Sequence, residues 1–465
     1  MTVDQYVAAH RERLLSELLD FLRIPSVSTD PRHTADMRRA AEFGAAALAR
    51  LGLDASVHET AGHPAVVAHG PSVPGAPRVL IYGHYDVQPA EPLAAWNADP
   101  FEPVVGGGVI TARGASDDKG QVYAHVKGVE ALLAAHSTLP VNLTFLIEGE
   151  EEIGSPSLPA FLEENAERLS ADVVVISDGA MVAPGMPTIT YGLRGLTYAT
   201  VRVRGAGRDL HSGAYGGGVP NALGALARLL AGLKDEHGRI LVPGFYDDVR
   251  DLSTEERAAL ARVPFDEGAF RADAGVDATP GEAGYTLLER IWARPTLDVN
   301  GLSGGFQGAG AKTVIAAEAM AKVSCRLVPD QDPQDVFDKL RAQLEANAPE
   351  GVTVEVLPEG LGRPAMTPLA APSVAAARAA LREVWGREPV FARSGGSIPI
   401  VSDFQRVLGA EPLLIGFGRE DDRAHAPNER FAVDDYLQGV RVSAALLLQL
   451  AHLGADDGAG AAARS

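Results

Sequence analysis

The chain has 465 residues, a formal net charge of −20, 46% hydrophobic residues and 22% charged residues. This composition excludes wholesale disorder and is typical of a soluble globular protein of two or three domains. The acidic balance argues against nucleic acid or an anionic membrane as a partner, because like charges would meet. The single cysteine, Cys325, excludes an intramolecular disulfide framework. With no signal-peptide pattern in residues 1–20 and no membrane-length apolar run, we expect a cytoplasmic protein.

The first third of the chain alternates short apolar runs with helical patterns. Leucines at helical spacing predict an amphipathic helix over 4–22, and a second helix is expected over 119–134. Buried strands are predicted at 79–82, 143–147 and 173–176, and a later one at 413–415. This alternation predicts an α/β domain with a mostly parallel sheet flanked by helices. Functional groups are then expected just beyond the carboxyl ends of the strands.

The middle third has a different pattern. Alternating residues predict strands near 201–204, 292–299, 322–327 and 352–356, with helices over 221–233 and from the Asp332-Pro333 start. The order β-α-β-β-α-β is typical of a ferredoxin-like α+β domain. We therefore expect such a domain inserted over 193–375 between two segments of the first domain, 1–192 and 376–465. The stretch 243–285 is expected to be an excursion or long loop, and the tail from Gly454 to be frayed.

Polar residues follow the predicted strands of the first domain. His84 and Asp86 come directly after one strand and share a side-chain direction at i and i+2. The other groups are Asp117 and Asp118 before the second helix, Glu148, Glu150, Glu151 and Glu152 after the next strand, and Asp178. Taken singly, these groups could be a solvated turn, helix-capping acids or a solvated charge run.

Taken together, the four groups indicate a metal site. They all fall at strand ends or helix starts of one α/β domain, where a doubly wound fold gathers them in one crevice. Histidine and carboxylate ligands without cysteine suit Zn, Mn or Co, and carboxylates can bridge two ions. A spare glutamate beside a ligand glutamate could then take a proton from water as general base.

Eight motifs in order from His84 to Glu429 carry a family resemblance. They are GHYDVQPA, ASDDKG, EGEEEIGS, SDGA, RDLHSG, RLVPDQDP, SGGSIPI and AHAPNE. The chain thereby resembles the cocatalytic metallopeptidase family of carboxypeptidases, aminoacylases and dipeptidases, and within it the carnosinase-like dipeptidase branch. The resemblance implies a catalytic α/β domain that carries two divalent ions, interrupted by a ferredoxin-like lid and dimerisation domain.

The resemblance also implies a role for each metal-site residue. His84 and Asp178 are expected to hold one ion and Glu152 and His425 the other, with Asp117 as the bridging ligand. Glu151 is expected to be the general base, and Asp86 to orient His84. The Asp117–Asp118 peptide bond is expected to be cis.

Substrate contacts are implied on the inserted domain and one later loop. His211 of RDLHSG is expected to reach across a homodimer and polarise the scissile carbonyl. Arg326 is expected to bind the terminal carboxylate of a dipeptide substrate. Asn300, Thr313 and Ser397 are expected to make further carboxylate or carbonyl contacts.

Two positions depart from the family pattern. Glu150 stands where many relatives have a nonacidic residue; it could raise the proton affinity of its neighbours or point to solvent, and we expect the latter. Ser394 stands where the family motif often has glutamate before GGS. This second departure could alter recognition of the substrate's amine end or the packing of the loop.

Three other interpretations compete. The segment GGFQGAGAKT is similar to a phosphate-binding loop, but Ala311 separates Gly310 from Lys312 and no hydrophobic strand is expected before it. An N-acyl-amino-acid amidohydrolase would share the fold and the chemistry. A noncatalytic scaffold is disfavoured because every ligand position and Glu151 are present.

Overall fold

The computed structural model describes residues 1–396 and 398–453. Its helices are α1 Val3–Ala9, α2 Arg11–Leu22, α3 Thr34–Arg50, α4 Lys119–His136, α5 Leu158–Glu164, α6 Ser212–Tyr215, α7 Ala222–Ala231, α8 Thr254–Leu260, α9 Glu267–Ala274, α10 Leu287–Ala293, α11 Pro333–Ala346, α12 Pro372–Trp385, α13 Pro399–Asp403 and α14 Val433–Leu450.

The strands are β1 Asp54–His58, β2 Ala65–His69, β3 Arg78–His84, β4 Val104–Gly106, β5 Val109–Thr111, β6 Asn142–Glu148, β7 Val173–Ile176, β8 Ala180–Met181, β9 Thr188–Leu193, β10 Gly195–Arg204, β11 Leu210–His211, β12 Thr296–Gly304, β13 Val314–Ile315, β14 Glu318–Leu327, β15 Thr353–Gly362, β16 Ala365–Met366, β17 Val390–Ser394, β18 Glu411–Leu414, β19 Gly418–Arg419 and β20 Arg430–Ala432.

The central sheet has the strand order β1-β2-β6-β3-β7-β18-β9-β16, with β17 also paired to β9. Its middle is parallel, because β3 pairs in parallel with β6 and β7, and β7 pairs in parallel with β18. Antiparallel pairs flank this middle at β1–β2, β2–β6 and β9–β16. The predicted mixed α/β fold with a largely parallel sheet is therefore confirmed.

Both faces of the central sheet are covered, as the continuous apolar strands predict. Along β3, Val79 and Ile81 enter the core beneath α3, α4, α12 and α14. Leu80 and Tyr82 point the other way, into the core shared with α5 and α13. Because β3 is buried on both faces, packing holds the position of its carboxyl end at His84.

A second, antiparallel sheet has the order β12-β14-β10-β15. Helices α7 and α11 pack against it around Val201, Leu226, Val323 and Phe337. Its element order is consistent with the predicted ferredoxin-like lid domain. The boundaries at 193 and 376 stay a prediction, and α12 crosses the second of them.

Several details differ from the sequence-based expectations. The helix predicted over 4–22 is two helices separated at His10, whose backbone leaves the helical region. The strand expected near 292–299 begins only at Thr296, because Trp292 lies in α10. The stretch 243–285 carries α8 and α9. The expectation of a frayed tail concerns residues outside the described part of the chain.

The phosphate-loop interpretation is not supported by the local fold. Strand β12 leads into GGFQGAGAKT but is mostly exposed or half-buried and is not a buried hydrophobic strand, and the segment runs into strand β13 with no helix following it there. A phosphate-binding loop needs a helix N-terminus at that point. Across the residues that the structure describes, no helix is long and apolar enough to cross a membrane.

Candidate metal centre

The carboxyl ends of neighbouring strands bring the predicted ligands together. Strand β3 ends at His84, and β7 ends two residues before Asp178. Asp117 and Asp118 directly precede α4, which begins at Lys119. Glu151 begins a 3₁₀ turn just after β6. These positions follow from the parallel register, which aligns the ends of β3, β6 and β7 at one edge.

Two groups of possible metal ligands lie side by side at this edge. The first contains His84, Glu151 and Asp178, and the second contains Asp117, Glu152 and His425. Within each group, one ligand atom from every residue lies within 4.8 Å of the others. Imidazole and carboxylate ligands of this kind suit Zn, Mn and related divalent ions.

Asp117 lies between the two groups. Its Oδ1 is 3.2 Å from Nε2 of His84, and its Oδ2 is 2.8 Å from Nε2 of His425. Nε2 of His425 is also 3.2 Å from Oε2 of Glu152. Each oxygen of Asp117 therefore faces a different histidine, which is the arrangement that a bridging carboxylate requires.

The buried carboxylates of the cavity are crowded together, and bound cations would stabilise their charged forms. Burial, with the neighbouring Asp178 and Glu152 carboxylates, raises the pKa of Glu151 to about 9. Burial, with the Asp117 carboxylate, raises the pKa of Asp178 to about 7. Hydrogen bonds to Asp117 and Glu152 raise the pKa of His425 to about 10. Carboxylates crowded in this way hold their charge only beside positive charge.

The buried Nε2 atom of His84 is a second indication of a metal site. The side chain of His84 is fully buried, and its Nε2 has no hydrogen-bond partner among the residues that the structure describes. A buried nitrogen with no such partner, facing carboxylates, fits a metal ligand. The residues present therefore fit a pair of divalent ions.

Asp86 organises both sides of the site. The Nδ1 of His84 lies 3.1 Å from the Asp86 carbonyl oxygen and 3.3 Å from Oδ1 of its carboxylate. The same carboxylate accepts the backbone N–H groups of Glu151 at 3.2 Å and of Glu152 at 3.1 Å. Orientation of His84 was expected from the sequence; the second contact, which holds the glutamate turn, was not.

Two further supporting residues lacked an assigned role in the sequence analysis. Gln88 donates from Nε2 to Oε2 of Glu152 at 2.8 Å. Glu429 is fully buried, pairs with Arg113 at 2.8 Å and accepts the backbone N–H groups of Gly114, Ser116 and Asp117. The only sequence signal for Glu429 was its place in the AHAPNE motif.

Asp118 is not a helix cap. Its side chain makes no capping hydrogen bond to α4, and its Oδ2 instead accepts the backbone N–H of His84 at 3.3 Å. The Asp117–Asp118 peptide bond is cis, as the resemblance implies. The capping interpretation of these two acids is therefore wrong.

The expectation that Glu150 points to solvent is also wrong. Glu150 is only 4% exposed, and its two carboxylate oxygens accept the backbone N–H groups of His63 at 2.9 Å and Ser157 at 3.0 Å. Gly62 leaves the room for this contact, since a Cβ there would lie 1.7 Å from Oε1 of Glu150. Glu150 thus ties the glutamate turn to the loop before β2.

The predicted substrate contacts lie away from the metal cavity of this chain. The cavity has a volume of about 450 Å³, and its described lining does not include His211, Asn300, Thr313 or Arg326. His211 is exposed, and its Nε2 lies 3.3 Å from the hydroxyl of Thr313. Asn300 is exposed on strand β12, at the edge of the second sheet. Ser397 lies outside the described residues.

Arg326 lies near a second arginine beside the GGS loop. It pairs in register with Leu196 and Thr296. Burial, with the charge of Arg326, lowers the pKa of Arg194 to about 10. Arg194 in turn donates from Nε to the carbonyl of Gly395 at 3.0 Å. Arg194 therefore contacts the loop that borders the metal cavity, and Arg326 lies near enough to Arg194 to influence its pKa.

A family model described as Peptidase family M20/M25/M40 matches residues 80–449. The chain belongs to this peptidase family. Its relatives include a human Beta-Ala-His dipeptidase, 34% identical over 97% of this chain and 92% of the relative. A Saccharomyces cerevisiae Cys-Gly metallodipeptidase, DUG1, is 32% identical over 96% of this chain and 97% of the relative.

Solved structures of family members share the fold over almost the whole chain. Human carnosine dipeptidase 1 superposes with a TM-score of 0.80 at 33% identity, covering 97% of this chain and 98% of that one. The M20 metallo-carboxypeptidase Sso-CP2 from Sulfolobus solfataricus gives 0.83 at 34% identity, covering 94% and 99%. The chain therefore shares the fold of this hydrolase family over almost its whole length.

Proposed function

We propose that this protein is a metal-dependent dipeptidase. The observation that carries the proposal is the pair of ligand groups around Asp117, with Glu151 beside them in one cavity. The names of the relatives, Beta-Ala-His dipeptidase and Cys-Gly metallodipeptidase, support dipeptides as the substrate class.

In this proposal His84 and Asp178 would hold one ion, Glu152 and His425 would hold the other, and Asp117 would be shared between them. Zn and Mn both suit the imidazole and carboxylate ligands. When bound, the two ions polarise the peptide carbonyl and lower the pKa of a water molecule. Asp86 and Gln88 keep the glutamate and histidine ligands oriented.

Glu151 is the general base of the proposed reaction. One of its carboxylate oxygens lies within 4.8 Å of ligand atoms of His84 and Asp178, so it would lie beside a water molecule activated at that group. It takes a proton from that water and returns it to the leaving amine. The backbone hydrogen bond from Glu151 to Asp86 fixes its position during both transfers.

Arg326 and a partner subunit complete the substrate site in this proposal. Arg326 binds the substrate carboxylate, since guanidinium groups bind carboxylates in a bidentate manner. His211 is exposed and does not line the cavity of its own chain, which supports its acting across a homodimer. Asn300 and Thr313 make carboxylate or carbonyl contacts to the substrate in this proposal. Ser397 adds a further contact. The buried free thiol of Cys325 supports a cytoplasmic location.

A substrate comparison on reloaded enzyme tests this function. The purified protein is stripped with a chelator, reloaded with Zn or Mn, and assayed on a dipeptide library and on matched N-acyl amino acids. We expect metal-dependent hydrolysis of dipeptides and much slower release of acyl groups. Hydrolysis of N-acyl amino acids alone would instead establish the amidohydrolase alternative.

A further inference from the structure

One carboxylate lines the metal cavity without a place in the metal chemistry. The acids in the described lining are Asp117, Glu151, Asp178 and Glu420. The first three belong to the two ligand groups, and Glu420 does not. It therefore adds a carboxylate to the cavity that the two ligand groups do not account for.

The fold fixes Glu420 at the mouth of the site, where the residue is exposed to solvent. Strand β19 ends at Arg419, directly before Glu420, and pairs in parallel with β8, which begins two residues after Asp178. This short ladder ties the backbone at Glu420 to the segment that carries Asp178.

The two acidic residues that follow Glu420 both have hydrogen-bond or ion-pair partners. Asp421 pairs with Arg430, and Asp422 accepts hydrogen bonds from Ser116 and from the backbone of Arg419. Among residues 1–396 and 398–453, no ion pair or hydrogen bond of the Glu420 carboxylate is found. Of three consecutive acids, only Glu420 is left to face a ligand.

A second cavity meets the first at this residue. It has a volume of about 340 Å³ and shares Val182, Trp292 and Glu420 with the metal cavity. Phe265 and Phe270 form part of its wall. A substrate group that extends from the metal centre towards this second cavity therefore passes Glu420 and the indole of Trp292.

A dipeptide differs from an acyl amino acid by one positive charge, the ammonium group at its amino end. In a partly desolvated cavity that charge needs an anionic acceptor. Ser394, on the same cavity wall, offers none where the family motif often has glutamate. We propose that Glu420 binds the amino-terminal ammonium of the substrate and thereby selects dipeptides over N-acyl amino acids. This inference rests on the proposed dipeptidase function.

The test uses two substrates that differ only in the amine, glycyl-leucine and acetyl-leucine. Glu420→Gln is compared with wild type and with Asp421→Asn, which removes the adjacent, paired acid. Steady-state kinetics give kcat/KM for each substrate, and the Ki of acetyl-leucine against glycyl-leucine covers slow turnover. Metal content and Tm establish that each variant is folded and loaded.

We expect Glu420→Gln to lower kcat/KM for glycyl-leucine by about 10- to 100-fold, the usual range for a lost charge-assisted hydrogen bond. Values for acetyl-leucine should stay within about twofold, and Asp421→Asn should match wild type for both substrates. An equal fall for both substrates, or no fall for either, overturns the role of Glu420. A wild-type enzyme that cleaves no dipeptide refutes the proposed function itself.

Discussion

The Oε1 atom of Glu429 accepts the backbone N–H of Asp117 at 3.0 Å, although 312 positions separate the two residues. The same carboxylate accepts two more N–H groups and pairs with Arg113. The residue that bridges the two ligand groups is thus held by a fully buried anion from the last third of the chain.

Substitution of Glu429 should therefore weaken both folding and metal binding. In Glu429→Gln, an amide N–H₂ replaces one acceptor oxygen and faces backbone donors. We expect the free energy of unfolding of the metal-free protein to fall by about 3 kcal/mol, the range for breaking a buried ion pair. Metal affinity should fall by about 10- to 100-fold, as for other residues behind metal ligands. Urea denaturation and metal titration measure the two effects, and unchanged values in both would contradict this account of Glu429.

The contact between Gly62 and Glu150 predicts a non-additive pair of substitutions. Glu150→Ala leaves two backbone N–H groups unsatisfied and should cost about 2 kcal/mol of unfolding free energy. Gly62→Ala places a Cβ against the Glu150 carboxylate and should cost about 1–3 kcal/mol. The double variant removes the clash, so its cost should be smaller than the sum of the two single costs. Additive costs would disagree with the observed geometry.

His125 predicts a loss of stability in mild acid. Burial lowers the pKa of His125 to about 3, and its ring nitrogens contact the hydroxyls of Ser443 at 3.0 Å and Ser177 at 2.7 Å. Below pH 6.5 the unfolded chain binds a proton that the folded protein refuses, so folding stability falls with pH from about 6.5 down to 3.

The low pKa of His125 should lower the free energy of unfolding by about 2 kcal/mol between pH 7 and pH 5. Urea denaturation of the chelated protein at several pH values measures it. The His125→Gln variant should show a shallower pH dependence than wild type. His136→Gln, on the same helix, controls for loss of a histidine as such; an unchanged slope in His125→Gln would contradict the assignment.

The proposed action of His211 across a dimer predicts complementation. His211→Ala and Glu151→Gln subunits should each be inactive alone. In verified heterodimers, one site combines an intact Glu151 with the partner's intact histidine, so about half of the wild-type activity should return. No recovery would place His211 in its own subunit's site or outside the reaction.

Much of the fold follows from local pattern. Short apolar runs bounded by polar residues predict β3, β6, β7 and β18, because strands buried on both faces read as continuous hydrophobic segments. The break at His10 escapes this approach, since no glycine or proline marks it in residues 1–22. Tertiary packing, which propensity does not contain, decides such boundaries.

The clustering of the candidate ligands was predictable, whereas most of the contacts that support them, Asp86 with His84 apart, were not. His84, Asp117 and Asp178 stand out because polar residues at strand ends gather at one edge of the sheet. Glu150 was assigned to solvent because its hydrogen-bond donors, the N–H groups of His63 and Ser157, become visible only when three segments meet. Backbone donors carry no sequence signal, so residues that bind them are recognised only from the structure.

The measurement that tests the account most directly combines metal content with activity in Glu151→Gln. If Glu151 is the general base, the variant should retain two ions per chain while hydrolysis of dipeptides falls by about 10²- to 10⁴-fold. Glu152→Gln, one residue along, should instead lose bound metal. Near-normal hydrolysis in Glu151→Gln, or loss of its metal, would contradict the central claim that this cavity is a dinuclear dipeptidase site with Glu151 as its base.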